Sequence, residues 1–402
     1  MSYNTYSIII GDQDYKVNPD SGDYWRDGLV QVYDWNKNNS TWTQRGDDIV
    51  GPSGTGTGFP EFAGSTALSE NGMTMVVGAR GYTPSESGWM QVYDWNENTS
   101  SWTQRGDDIV GGTTGDAIGV IVSISEDGNT VAANGSYITR IFDWNSGSSE
   151  WTQRGSDLTC GTSQVIRSSK LSRDGDAIIM KAKQVTHYRV WSGTSWDLQY
   201  SDNINTTTGS AISYAYHLAD IDNTTSSGRG IVVGGDNTDK ARVYTHDSGT
   251  TWTQRGSTIS GIGKHSAAIN QDSTVVALGT RDTSSGSVKV YEWNGISWSQ
   301  RGSTFAGTGT GRTVALNQDG DVVMMKTPNN SVSIYEWDTD TSSWSQLGDS
   351  ITTTNATASF GRGVISVIGD ITATAQAIGD PTTAHAIGDP HIQTFSGLKY
   401  TL

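Results

Sequence analysis

The chain holds one cysteine, Cys160, in 402 residues, so no disulfide can form within it and its stability has to come from packing. Basic side chains are also scarce: 26 Lys and Arg stand against 42 Asp and Glu, for a formal net charge of -16. Nucleic-acid affinity rests on clustered Lys and Arg that release counterions, so nucleic acid is not an expected partner, and the acidity reads as solubility. No stretch approaches the roughly 18 apolar residues of a membrane-spanning helix, so no membrane insertion is expected. The opening residues 1–10 lack a basic start and a long apolar run, and they do not read as a secretory signal. The six histidines, at 187, 217, 246, 265, 385 and 391, show no close pairing of the zinc-site kind. There is no phosphate-binding glycine loop and no nucleophile elbow, so neither a cofactor nor a metal is expected.

What the chain does have is 49 glycines, 15 tryptophans and 16 tyrosines. Glycine with abundant Ser, Thr, Asn and Asp supplies turns, while the aromatics suit pleated cores, so the chain reads as all-β without long helices. One phrase returns seven times: a strand ending in Tyr-Asp-Trp-Asn or a variant, a short polar turn, then a tryptophan usually followed by Thr/Ser-Gln-Arg-Gly. Those tryptophans are Trp42, Trp102, Trp151, Trp196, Trp252, Trp298 and Trp344, spaced 45 to 60 residues apart. That period matches a four-stranded propeller blade and is too long for most helical repeats.

The second repeat shows the strands plainly, at 64–69, 73–79, 89–95 and 102–109. The turn between its first two strands recurs as Glu126-Asp127-Gly128-Asn129, Arg173-Asp174-Gly175-Asp176 and Gln318-Asp319-Gly320-Asp321; Asp-Gly between apolar runs marks a hairpin. Alternation along the third strand of the first repeat turns Val30, Val32 and Asp34 one way and Gln31, Tyr33 and Trp35 the other. Tyr33, Tyr93, Tyr244, Tyr291 and Tyr335 then read as packing between blades. The recurring Arg45, Arg105, Arg154, Arg255 and Arg301 read as scaffold hydrogen bonds or ion pairs, because a substrate site would break the repeat rather than obey it.

The chain starts in mid-repeat. Residues 6–11 align with a second strand, so the first blade lacks its first, while Phe360-Gly361-Arg362-Gly363-Val364-Ile365-Ser366-Val367 aligns with the first strand of the seventh blade. The expected fold is a seven-bladed β-propeller of four-stranded antiparallel blades over 1–372, closed by the C-terminal strand at about 360–368 completing the first blade. Residues 373–402 form a linker and the start of something else. The fourth and fifth repeats diverge most, at His187-Tyr188-Arg189-Val190-Trp191 and at 223–229, and such loops on a rigid scaffold are places where binding faces arise.

Three resemblances bear on function. Thr245-His246-Asp247-Ser248-Gly249-Thr250-Thr251-Trp252 resembles the Asp-box of sialidases and related propellers, a structural hairpin in those families. A sialidase-like glycoside hydrolase would need an arginine cluster, for which Arg80, Arg140, Arg189 and Arg281 are candidates that no spacing singles out. More broadly, the repeat over residues 6–368 is similar to repeats in surface or secreted proteins of marine bacteria and large algal viruses, distantly similar in turn to the integrin α-type propeller. The calcium-loop pattern of that propeller is missing: Asp174 with Asp176, and Asp319 with Asp321, supply two carboxylates each and read as turn chemistry.

Residues 388–400, beginning Gly388-Asp389-Pro390-His391-Ile392, resemble the opening of a von Willebrand factor type D domain. In some relatives of that domain the Asp-Pro bond cleaves itself. The resemblance would make Asp389 the nucleophile, Pro390 the leaving side and His391 the acid. The sequence thus leads to a non-enzymatic recognition or structural propeller, displayed on a virion or cell surface and binding a glycan or protein through its loops. The alternatives are the glycoside hydrolase and a purely architectural virion component with a self-cleaving Asp-Pro tail.

Overall fold

The structure is a computed structural model that describes residues 6–17, 26–52, 61–81, 87–113, 115–161, 164–182, 185–202, 229–234, 240–246, 252–260, 266–280, 286–353, 356–357, 359–361, 366–368, 391–393 and 399–401. It is an all-β chain in which seven small antiparallel sheets form a ring. The second blade runs outward from the axis as Phe62–Leu68, Thr74–Ala79, Trp89–Asn96 and an outermost strand, Ser101–Gln104. The innermost strand of the fifth blade falls outside the described residues. The chain divides into two compact units, Met1–Ile371 and Thr372–Leu402. Within the second, His391–Gln393 pairs antiparallel with Lys399–Thr401.

The expected closure is present. Ser366–Ile368 pairs antiparallel with Ser7–Asp12, placing Ile368 opposite Ser7, Val367 opposite Ile8 and Ser366 opposite Ile9. The first blade is thus built from both ends of the ring, and its inner two strands are joined by hydrogen bonds instead of a turn. A second set of contacts fastens the chain arriving at that strand. Asp12 accepts from Thr357 Oγ1 at 2.5 Å and from the Thr357 amide at 2.9 Å, Asp14 accepts from Ser359 Oγ, and Lys326 Nζ donates to the Phe360 carbonyl at 2.5 Å.

The core lies between blades. Val30 and Val32 pack toward Met75, Val77 and Phe62 of the second blade, while Tyr33 and Trp35 pack toward Met324, Ile334 and Leu347 of the seventh, as strand alternation requires. Tyr93, Tyr291 and Tyr335 occupy equivalent interfaces. Burial pushes the phenols of Tyr33 and Tyr93 up to about 12, with Asp48 and Asp108 adding to the effect.

One expectation needs correction. The outermost strand of the second repeat does not run unbroken over 102–109; it stops at Gln104 and resumes at Ile109–Val110, pairing with the third strand on both sides of the break. The break is the Arg-Gly step. Gly106 adopts φ 74°, and a Cβ there would lie 2.8 Å from Cζ3 of Trp144 in the next blade. The glycine therefore serves both the left-handed turn and the close approach of an indole.

Candidate functional site

The repeated arginine and tryptophan form a clamp across five of the interfaces between blades. Arg45 donates from Nε and Nη2 to Asp34 of its own blade at 2.7 and 2.5 Å, and from Nη1 to the Gly72 carbonyl of the next blade. In return, Trp102 Nε1 of that next blade donates to the Arg45 carbonyl at 3.0 Å. The same return bond joins Trp151 to Arg105, Trp196 to Arg154, Trp298 to Arg255 and Trp344 to Arg301, at 2.8 to 2.9 Å. The guanidinium groups also lie over indoles of the next blade, with Arg105 4.7 Å from the Trp144 ring and Arg301 4.7 Å from the Trp337 ring. Burial lowers the pKa values of Arg105 and Arg301 without removing their charge. These side chains hold blades together.

A different group of side chains meets near the axis. In the turn after the innermost strand of five blades the residue before the Asp or Asn varies: Glu70, Glu126, Arg173, Gln271 and Gln318. Glu70 accepts from both Arg173 Nη2 and Gln318 Nε2, so blades two, four and seven are joined at one carboxylate. Arg173 also reaches Glu126, with 3.1 Å between Nη2 and Oε2. Burial, with Asp127 and Asp174 nearby, holds the Glu126 carboxyl above its usual range. Sequence reasoning missed this cluster, though its signal was available: it is the variable position inside an otherwise fixed turn.

The two faces of the ring differ. Turns between the third and outermost strands span 37–40, 97–100, 146–149, 192–195, 294–297 and 339–342, four residues each. Between the second and third strands, whose junction lies at the opposite face, the strand bounds leave from three residues (328–330) to sixteen (13–28), and 135–138 and 328–330 are described throughout. Tyr137, in 135–138, is 49% exposed, and Val17, in 13–28, is 58% exposed. The chain enters the ring at Ser7 and leaves it at Ile368, which are paired at the face of the uniform turns.

Of the four arginines considered for a sialidase-like site, three are among the described residues. Arg140 is held by Asp157 at 2.8 Å and Asp116 at 3.2 Å, and Arg189 donates to the Trp196 carbonyl at 3.0 Å. Arg80 follows the second strand of the second blade and is exposed, while Arg281 lies outside the described residues. Asp174 accepts from Ser172 Oγ and the Asp176 amide, Asp176 pairs with Arg154, and Asp321 accepts from Asn317 Nδ2. Those carboxylates are engaged in turns and the clamp. Among the described residues no three His, Cys, Asp or Glu side chains group as metal ligands. His187 Nδ1 lies 3.1 Å from the Thr159 carbonyl, and burial lowers its basicity. Of the Asp-box-like segment, His246 pairs with Trp252 across a hairpin between third and outermost strands, and residues 247–251 lie outside the described residues. Asp389 and Pro390 lie outside them too; His391 opens the first strand of the small hairpin.

Neither a family model nor a curated protein sequence matches the chain. Solved structures do. A candidate 6-phosphogluconolactonase from Bacteroides uniformis ATCC 8492 superposes with a TM-score of 0.64 at 12% identity, covering 91% of this chain and 100% of that one. A second, from Bacteroides fragilis NCTC 9343, gives 0.60 at 10% identity over 91% and 98%, and a protein from Lactobacillus plantarum gives 0.59 at 11% over 90% and 99%. At such identities the likeness is one of fold: this chain, a seven-bladed β-propeller, shares the propeller fold with those proteins.

Proposed function

We propose that the protein is a non-enzymatic recognition propeller, displayed on a virion or cell surface, which binds a glycan or a protein through the connections between its second and third strands. The observation that carries this reading is the asymmetry of the two faces. Uniform turns and the points where the chain enters and leaves lie on one face, and connections of unequal length lie on the other. A tether on the first face leaves the second open, and loops that vary on a fixed scaffold are where binding specificity resides. The repeat's arginines support the same reading, since they are committed to clamps instead of an anion pocket. The tail from 373 serves as a linker in this scheme, with no cleavage between Asp389 and Pro390 required.

The test is to offer the purified chain a broad glycan array, recheck bound spots for cleavage by mass spectrometry, and assay 6-phosphogluconolactone hydrolysis in parallel. Selective, uncleaved binding with no lactone turnover is the expected result. Cleavage of a bound glycan, or lactone hydrolysis above the spontaneous rate, would overturn the reading in favour of a hydrolase.

A further inference from the structure

Around the axis, the turns that follow the innermost strands are stitched to one another by backbone hydrogen bonds. The Glu70 amide donates to the Glu126 carbonyl at 3.2 Å, the Glu126 amide to the Arg173 carbonyl at 2.7 Å, and the Gln271 amide to the Gln318 carbonyl at 2.9 Å. Each bond runs from one blade to its neighbour. The first blade cannot take part, because its inner strands come from opposite ends of the ring and no turn joins them. The stitching therefore has a gap between the seventh blade and the second, at the non-covalent seam.

Side chains span that gap. Gln318 of the seventh blade donates to Glu70 of the second, passing over the first blade, and Arg173 of the fourth blade binds the same carboxylate from across the axis. The seam also lacks the arginine of the clamp, because Leu347-Gly348 stands where five other repeats have Arg-Gly. We infer that Glu70 is the keystone of ring closure, a conformational latch that holds the seventh and second blades together across the turnless first blade.

The inference is tested by native-state hydrogen exchange on the full chain, comparing Glu70→Ala, Gln318→Ala and Glu126→Ala with the wild type. Glu70→Ala should speed exchange of the amides in 7–12 and 366–368 about tenfold, while those in 130–134 and 177–182 stay within about twofold. Gln318→Ala should show the same seam-selective pattern, and Glu126→Ala should not. Unchanged exchange at the seam would overturn the proposal, as would an equal increase in every blade, which would mark Glu70 as an ordinary stabilising residue. If Glu70→Ala does not fold, Gln318→Ala decides by the same criteria.

Discussion

The indole N–H of Trp42 donates to the carbonyl oxygen of Leu347 at 2.8 Å, joining residues 305 positions apart across the closure of the ring. At five other interfaces the accepting carbonyl belongs to an arginine whose guanidinium reaches onward, at four of them to a turn glycine and at the fifth, from Arg255, to Ser273. The first blade, which carries Trp42, has no turn joining its inner strands to supply that carbonyl, and Leu347 packs against Ile334 and Ile351 instead. Leu347→Arg should therefore destabilise the protein by about 3 kcal/mol, read as a lower denaturant midpoint with an unchanged slope.

The clamps are not equal in strength. Asp34 keeps only 13% of its side chain exposed beside Arg45, whereas Asp94 is 44% exposed and 3.5 Å from Arg105. Arg45→Met leaves a buried carboxylate unpaired and should cost about 3–5 kcal/mol, whereas Arg105→Met should cost about 1 kcal/mol. Chemical denaturation of the two variants side by side measures the difference.

Gly106 and Gly193 both sit at positive φ, 74° and 95°, but a Cβ on Gly193 meets nothing within 4 Å, whereas one on Gly106 strikes Trp144. Gly193→Ala should cost about 1 kcal/mol, the backbone penalty alone, and Gly106→Ala about 3 kcal/mol once overpacking is added. Equal losses in thermal scans would mean that the indole moves aside freely.

Lys181 is 3% exposed, and burial pushes its ammonium down to about 8, with the Cys160 thiol the one other contributor. The same burial raises Cys160 to about 11. Because the folded value lies below the unfolded one, both states hold the proton below pH 8 and the folded state bears the full cost of a buried charge. That cost fades as pH rises from 8 toward the unfolded value of about 10.5. Lys181→Met should thus stabilise the fold at pH 7, by on the order of 3 kcal/mol, and confer nothing by pH 10.5. Urea midpoints of both proteins across that range check the sign.

The ring was legible in the sequence because blade geometry is written into local chemistry: Asp-Gly turns, alternating strands and a tryptophan every 45 to 60 residues. Closure was legible too, since the missing first strand before Ser7 and the surplus one at 366–368 are complementary. The scaffold role of Arg45 followed from its recurrence, but its targets, Asp34 and the next blade's Gly72, did not, because they depend on how blades meet. The convergence of Glu70, Arg173 and Gln318 was hidden for the same reason: residues 248 positions apart become neighbours only when the ring closes. The hinge at Arg105-Gly106 was read as unbroken strand because its glycine answers to an indole in another repeat.

The most direct measurement of the account is binding to the glycan array by wild type, Tyr137→Ala and Ile296→Ser. Tyr137 is exposed on the face of unequal connections, and Ile296, 85% exposed, lies in a uniform turn on the opposite face. The account predicts selective wild-type binding, weakened about tenfold by Tyr137→Ala and unchanged by Ile296→Ser, with every bound glycan recovered intact. Loss of binding in Ile296→Ser with none in Tyr137→Ala, or recovery of cleaved glycan, would contradict it.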